Sequence, residues 1–406
     1  MISPQTAAPE QRGATASRLP QVEPALALCI EKTRANIRRL ADEPKACAWA
    51  TDGNYFGFPE GFYDISNWTT SFLTGMALLA WRQTGEETFL EQVQRLAPHY
   101  RRKVFERDRD TMHDLGFLYS LYSIALYKLT GEQAHRETGL RAAEVLAGRF
   151  EPRGQYIRAW GRMEEKESEY AGLAIIDSMM NLPLLFWATA ESGNERYRDI
   201  AVQHADTTLR CFVRPDGSVF HAYRFDPQTG LPLGPDNYCG CSVESHWARG
   251  AAWAIYGFVL SYGYAREPRY LEASLKLARK FVARLDGDSV PPWDFDLPPE
   301  EKPLRDSSAA AIALCGFQEL LKHRPDEAPL AAAQRMLARL CSQEYLDSDP
   351  SCPGLLRKAQ VGDGLGQARN VYASWGDYFL MEALSRESIG EPGFWTARKN
   401  PVNLTW

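Results

Sequence analysis

KLTGEQAHRETGLRAAEVL, residues 128–146, ends one helix and begins another. Gly131 stands where a helix closes on a left-handed residue, and Glu132 after it suits the first turn of the next helix. Beyond it the apolar residues recur at three- and four-residue intervals, so they share one face. The pattern returns in RQTGEETFLEQVQRLA (82–97), AESGNERYRDIAVQHA (190–205) and YGYAREPRYLEASLKLA (262–278). In each, a strongly apolar helix runs into a Gly-containing turn and an amphipathic helix follows. Each unit therefore reads as an αα-hairpin with one buried and one half-exposed member.

The same periodicity predicts about twelve helices, near 26–42, 69–83, 87–105, 113–129, 133–150, 170–191, 195–213, 245–264, 268–285, 305–322, 328–345 and 370–387. Alternation of the strand type is scarce, and GSVFHAYRFDP (217–227) is the best hairpin candidate. Six αα-hairpins close a ring with the apolar helices inside. Regular repeats would stack instead into an open solenoid. Here the repeats are irregular, and the connections at 151–169 and 214–244 are long, as over the functional rim of a closed barrel. The expected fold is all-α, an (α/α)6 barrel in a single domain over 21–406, after a disordered leader over 1–20.

Composition narrows the function. The chain has 406 residues, 45% hydrophobic and 24% charged, with a net charge of −6. That is ordinary globular composition, with no basic block to suggest nucleic acid. No apolar run is long enough to span a membrane, and the start lacks the charged and apolar regions of a signal peptide. A cytoplasmic protein is expected. CGC (239–241) is too tight for a zinc pair, and no second pair with ligand spacing follows, so no metal is expected. Dinucleotide, P-loop, G-x-S-x-G and H-E-x-x-H motifs are absent.

In a ring of helices, polar residues on the inner members point into the central cavity. AIIDSMMNLPLLFW (174–187) places Asp177 in an oily run, where a lone acid is costly. Asn181 falls one turn later on the same face, and Pro183 is expected to kink the helix. Asp177 is either a structural hydrogen-bonded acid or a working one. Asp114, in TMHDLGFLYSLY (111–122), is either a helix cap or a cavity residue beside His113. SHWARGAAWAIYG (245–257) puts His246, Arg249 and Trp253 close together, with Arg249 suited either to an internal acid or to a carboxylate ligand. Trp68, Trp160 and Trp293 are candidate sugar-stacking faces or core residues, and His221 lies in the hairpin region. Two acids with Arg, His and Trp around a cavity suggest acid/base work on an anionic sugar.

At these residues the sequence resembles the unsaturated glucuronyl hydrolases, glycoside hydrolase family 88. The matching runs are NWTTSFLTG (67–75), MHDLGFLYS (112–120), IIDSMMNLPLLFWA (175–188), HWARGAAWAIYG (246–257), VPPWDFDLP (290–298), RDSSAAAIA (305–313) and SWGDYFLMEAL (374–384). They fall in order over nearly the whole chain after residue 60. The resemblance implies the (α/α)6 barrel, with Asp177 as catalytic acid/base and Asp114 as the second essential acid. It also implies that Trp68, His113, Trp160, His221, Arg249 and Trp253 line the sugar site, where Asn181 is expected to join them. The implied substrate is an oligosaccharide ending in a 4,5-unsaturated uronic acid, and the implied chemistry is hydration of its enol ether without a metal or organic cofactor.

The unsaturated rhamnogalacturonyl hydrolases share that fold and chemistry, but the HDLGF and DSMMNLPLL runs speak for the glucuronyl branch. A non-catalytic carbohydrate-binding protein would need neither acid, and an epimerase on the same toroid would rest on histidine pairs. Two departures stand out. CGCSVES (239–245) puts Cys239 where the family pattern carries glutamine. The run before SWGDYF lacks the S-x-x-S-x-K pattern of members acting on sulfated fragments, which points to unsulfated or differently decorated substrates.

Overall fold

The computed structural model describes residues 19–40, 43–301, 303–362, 369–390 and 392–396. Fourteen α-helices are present among them. α1 (Val22–Ile37), α3 (Glu87–Gln94) with α4 (Ala97–Phe105), α7 (Gln133–Ala147), α9 (Glu195–Cys211), α11 (Pro268–Ala283) and α13 (Glu327–Leu340) form the outer layer. α2 (Thr70–Thr84), α5 (Leu115–Tyr119) with α6 (Ala125–Thr130), α8 (Leu182–Ser192), α10 (Ala248–Ala265), α12 (Ser307–His323) and α14 (Ser374–Ile389) form the inner ring. Each inner helix packs on the next, and α14 returns to α2, so the ring closes into an (α/α)6 barrel. A continuous apolar core runs through all six hairpins. No helix among the described residues is long and apolar enough to cross a membrane.

The layering follows from composition. α10 is buried along almost its whole length, whereas α11 buries one stripe and turns its charged residues to water. The glycine turns also fall as expected. Gly85, Gly131 and Gly193 close α2, α6 and α8 in the left-handed conformation. In the fourth repeat the closing residue is Arg266, at φ 58°, and Gly263 lies inside α10.

Three helices differ from expectation. The segment near 87–105 is split between α3 and α4, with Pro98 in the first turn of α4. The segment near 113–129 is one helical rod, but a π-turn over Ser120–Ile124 joins α5 to α6. The helix expected near 170–191 begins only at Leu182; the chain before it is a strand and then a 3-10 turn, Ile176–Met180. Pro183 starts that helix rather than kinking it, because a first-turn proline gives up no intrahelical hydrogen bond. Of the expected leader, 1–18 lies outside the described residues, and Leu19 already packs against the core.

Seven short strands serve the connections: β1 (Trp49–Ala50), β2 (Phe150–Glu151), β3 (Tyr156–Ile157), β4 (Leu173–Ile175), β5 (Ala222–Phe225), β6 (Pro232–Asp236) and β7 (Tyr372–Ala373). The two long connections meet in an antiparallel sheet of order β4-β5-β6. Of the expected hairpin, 217–227 supplies only one strand, β5; its partner β6 lies beyond that run, and β4 pairs on the other side as a third strand.

The inner helices approach closely where they meet this sheet. A Cβ on Gly116 of α5 would lie 2.3 Å from Asn181 Cα and 2.6 Å from its side-chain oxygen. Gly116→Ala is expected to cost about 1–3 kcal/mol of stability, the usual penalty for forcing atoms into a packed core. Equilibrium denaturation of the variant checks this, and an unchanged midpoint would mean that the crossing can relax.

Candidate active site

Asp177 is presented by a change of backbone rather than by a helix face. Ile175, at φ −131° and ψ 155°, ends β4, and the 3-10 turn begins at Ile176. β4 pairs with β5 through Ile175 and Ala222, and Ile176 N–H donates to His221 O at 2.9 Å. This register sets the His221 ring beside Asp177. Its Nε2 lies 3.8 Å from Asp177 Oδ2.

Asn181 holds the turn to the neighbouring helix. Its amide nitrogen donates to Asp177 O at 3.2 Å, and its side-chain oxygen accepts from Phe117 N–H at 2.8 Å. Phe117 lies three residues beyond Asp114, so one buried amide ties together the backbones that carry both acids. Asn181 is fully buried and is absent from the cavity wall, contrary to the expectation that it lines the sugar site. Both ends of its amide are occupied by backbone.

A cavity of about 670 Å³ opens over these residues. Its wall includes Trp68, His113, Asp114, Trp160, Asp177, His221 and Arg249, which the sequence singled out. Trp253 lies beneath the wall, fully buried between Phe117 and Phe379. Its indole N–H has no partner at hydrogen-bonding geometry, yet it is near enough to Asp177 to favour the charged carboxylate. His246 and Trp293 are also outside the wall. His246 packs on Phe295, and Trp293 O accepts from Ala248 N–H, so they hold the start of α10.

The electrostatics centre on the two acids. Burial raises Asp177 to about 6, against the opposing pull of Arg249. A rise from 3.8 to about 6 is worth about 3 kcal/mol against the carboxylate. Its Oδ2 is buried without a hydrogen-bond partner. Asp114 is pushed well above the ordinary carboxylate range by burial and then by the charge of Asp177, with Arg149 opposing. Asp114 precedes α5 but makes no side-chain cap bond, so it is not the helix cap its position would allow.

The two histidines are neutral and oppositely arranged. Burial lowers each to about 3. His221 Nδ1 accepts from the N–H groups of Tyr238 and Cys239, at 3.1 and 3.2 Å, which leaves the proton on Nε2, toward Asp177. His113 Nδ1 donates to Ala159 O at 3.1 Å, which leaves the Nε2 lone pair 3.1 Å from Asp114 Oδ1. Two acceptors repel at that distance, whereas a protonated Asp114 can donate there.

Arg249 is held by Asp306 at 3.5 Å and by the carbonyl oxygens of Gln360 and Val361, the latter at 2.6 Å. It makes no ion pair with Asp177 among the described residues. Its guanidinium lies between the rings of Trp247 and Trp375, 4.5 and 5.1 Å from their centroids. Trp375 stacks on Trp68 at 5.2 Å.

Sequence reasoning missed Trp247, Trp375 and Tyr238 in the wall, although the two tryptophans lie in motif runs already quoted. It also missed Arg149. This buried guanidinium donates to the carbonyl oxygens of Thr111, Arg158, Ala159, Trp160 and Gly161 and pins the loop that carries Trp160. Its hydrogen-bond acceptors are all backbone, so no residue pattern announced it. Cys239 lines the wall as a buried thiol, raised to about 12 by desolvation. No cluster of metal-binding side chains is present among the described residues.

Residues 50–378 match Glycosyl Hydrolase Family 88. The unsaturated glucuronyl hydrolase of Bacillus sp. (strain GL1) is 35% identical over 340 residues, 82% of this chain and 90% of that protein. The unsaturated chondroitin disaccharide hydrolase of Streptococcus pyogenes serotype M1 is 35% identical over 371 residues, 89% of this chain and 90% of that protein. The crystal structure of the Bacillus sp. GL1 enzyme has a TM-score of 0.85 at 33% identity, covering 93% of this chain and 99% of that one.

The raised acid has a consequence for stability. A protonated, buried Asp177 costs little below its unfolded value near 4, and the cost grows as pH rises through about 6. Asp177→Asn carries no charge at any pH. It is therefore expected to melt higher than the parent at pH 8 and equally at pH 4. Calorimetry at both pH values checks the sign; an equal gain at both would show that the carboxylate charge is not the cause.

Proposed function

The chain belongs to glycosyl hydrolase family 88, and we propose that it removes the terminal 4,5-unsaturated uronic acid from oligosaccharides left by polysaccharide lyases. One observation carries this reading: a desolvated carboxylic acid, Asp177, and a second acid, Asp114, face one cavity of sugar size walled by tryptophans. Relatives named for unsaturated glucuronyl and unsaturated chondroitin disaccharide hydrolysis support the substrate class.

The substrate's C4=C5 bond is part of an enol ether. Asp177 donates its proton to C4, and positive charge develops at C5, shared with the ring oxygen. Water adds to C5, and the ionised Asp177 takes the proton that this water loses. The C5 hemiketal then opens by breaking its bond to the ring oxygen. The hemiacetal left at C1 collapses and releases the next sugar. The anomeric carbon is never attacked, so the carboxylate-separation rule for ordinary glycosidases does not apply.

Each neighbour has a role in this scheme. The apolar surroundings hold the proton on Asp177 up to about pH 6, so the acid form is available to the double bond there. His221 Nε2–H offers its dipole to Asp177 as the carboxylate forms, and its low pKa keeps it from competing as a proton donor. Asp114, protonated against His113, fixes a ring hydroxyl. Trp68 and Trp160 supply stacking surface. Arg249 contributes long-range attraction for the uronate, its hydrogen bonds being largely taken by Asp306 and two carbonyls.

The leaving side favours an unsulfated sugar. Of the cations in the wall, Arg249 is engaged as described, and Arg162 pairs with Asp110 at 2.7 Å and Glu165 at 3.7 Å. Glu60 stands in the same wall and makes no ion pair among the described residues. A cytoplasmic location is part of this reading, since all eight cysteines are free.

Asp177→Asn is expected to lower turnover by at least a hundredfold, the scale of a lost general acid, with the fold retained. Loss of the C=C ultraviolet absorbance on unsaturated disaccharides measures it, and more than a tenth of parental activity would remove Asp177 from the role. Because the acid must be protonated, kcat is expected to fall as pH rises through about 6. Rates on paired unsulfated and sulfated disaccharides should favour the unsulfated member; the reverse order would refute the leaving-side assignment.

A further inference from the structure

The end of the barrel opposite the cavity is stopped by the chain itself. Residues 392–396 follow α14 and turn into the bore, where Phe394 and Trp395 are buried, Trp395 completely. Inner helices from around the ring fasten this plug. From α6, Lys128 donates to Phe394 O at 2.6 Å and Thr396 O at 2.9 Å. From α10, Tyr264 donates to Trp395 O at 2.9 Å. From α14, Glu382 Oε2 accepts the Trp395 indole N–H at 2.9 Å. Its other oxygen accepts from Tyr256 at 2.5 Å and Arg386 at 2.9 Å. Gly393 leaves the room: a Cβ there would lie 2.3 Å from the Glu382 carboxyl carbon.

The plug does more than close a hole. The Trp395 ring stacks on Phe379, with centroids 6.1 Å apart and planes 14° apart, and meets Phe117 edge-on at 6.0 Å. Both of those rings touch Trp253, at 5.5 and 5.2 Å, and Phe117 also touches Trp68 at 5.3 Å. Trp253 is the indole beneath Asp177, and Trp68 is in the cavity wall. One aromatic layer thus separates the plug from the reacting end. Phe117, Phe379 and Trp253 carry no polar group except the Trp253 N–H, so without a prop they would be the path by which water reaches Asp177 from below.

We propose that Trp395 is a positioning residue for the reaction: by propping Phe117 and Phe379 it fixes Trp253 and Trp68 and keeps water from beneath Asp177. This rests on the reading of Asp177 as the acid. The charged and titratable groups around Asp177 are Asp114, His221, Cys239 and Arg249; those around the plug's anchor Glu382 are Tyr256, Arg386, Glu319, Tyr378, Cys315 and Lys322, and Lys128 and Arg82 face the plug at Phe394. The Glu382 group belongs to the closed end, so a change at Trp395 reaches Asp177 through the rings and the water they exclude.

The test compares Trp395→Ala and Trp395→Phe with the parent and with Asp177→Asn, all first shown to be folded by near-ultraviolet circular dichroism at the assay temperature. Trp395→Ala is expected to lower kcat by about tenfold or more, since small misplacement of reacting groups is costly. KM is expected to change much less. The fall of kcat with pH is expected to move toward lower pH as water relieves the desolvation of Asp177. Trp395→Phe keeps a ring in place and should restore most of kcat and the parental pH dependence. A folded Trp395→Ala with kcat within twofold of the parent, or with an unmoved pH dependence, overturns the inference. If the alanine variant does not fold, Trp395→Leu fills more of the space and is judged by the same two readings. An active Asp177→Asn would instead remove the acid assignment on which the plug's role depends, so the two failures are told apart.

Discussion

A carboxyl group held out of water with no cation bound to it is the constraint around which this molecule is arranged. Burying Asp177 unpaired disfavours its charge by about 3 kcal/mol. A direct guanidinium contact would remove that penalty and return the carboxyl toward its ordinary range. Arg249 is close enough to pull on Asp177, yet its hydrogen bonds go to Asp306, Gln360 and Val361. Asp306 is itself occupied, since its other oxygen caps α12 through Ser308 and Ala309. The cation is thus kept in the site and out of an ion pair with the acid.

The same logic governs the histidines. Each has one ring nitrogen committed to the backbone, and burial keeps each uncharged. The commitments are opposite, an acceptor at His221 Nδ1 and a donor at His113 Nδ1. One acid therefore faces an N–H and the other faces a lone pair. Two carboxyl groups of the same residue type acquire different environments through backbone partners more than forty residues apart in one case, Ala159 and His113. Arg149 reinforces the division by placing a buried charge near Asp114 while spending its donors on a loop.

Legibility from sequence tracked the range of each interaction. The apolar stripe of α11 and the Gly131 turn are made within a few residues, so they could be read directly. Asp177 was legible as an anomaly, an acid in an oily run, but its backbone was not. The residues from 170 onward look helical because Leu, Met and Ala dominate them. The strand β4 wins because β5, almost fifty residues away, pairs with it and draws Leu173–Ile175 into extended form. Asn181 was placed one turn from Asp177 on a helix face that does not exist there, and its true role as a backbone tie depends on α5.

By itself the sequence determined the ring of six hairpins, its inner and outer members, and the short list of polar residues available to the bore. Those follow from hydrophobic periodicity and turn chemistry, which act over three to seven residues. Tertiary structure alone decided which of them meet. It turned Asn181 and Trp253 away from the cavity, brought Trp247 and Trp375 around Arg249, and set Trp395 beneath the floor. The physical reason is that close contacts, tautomers and desolvation depend on groups brought together from distant parts of the chain, and the local pattern carries no record of them.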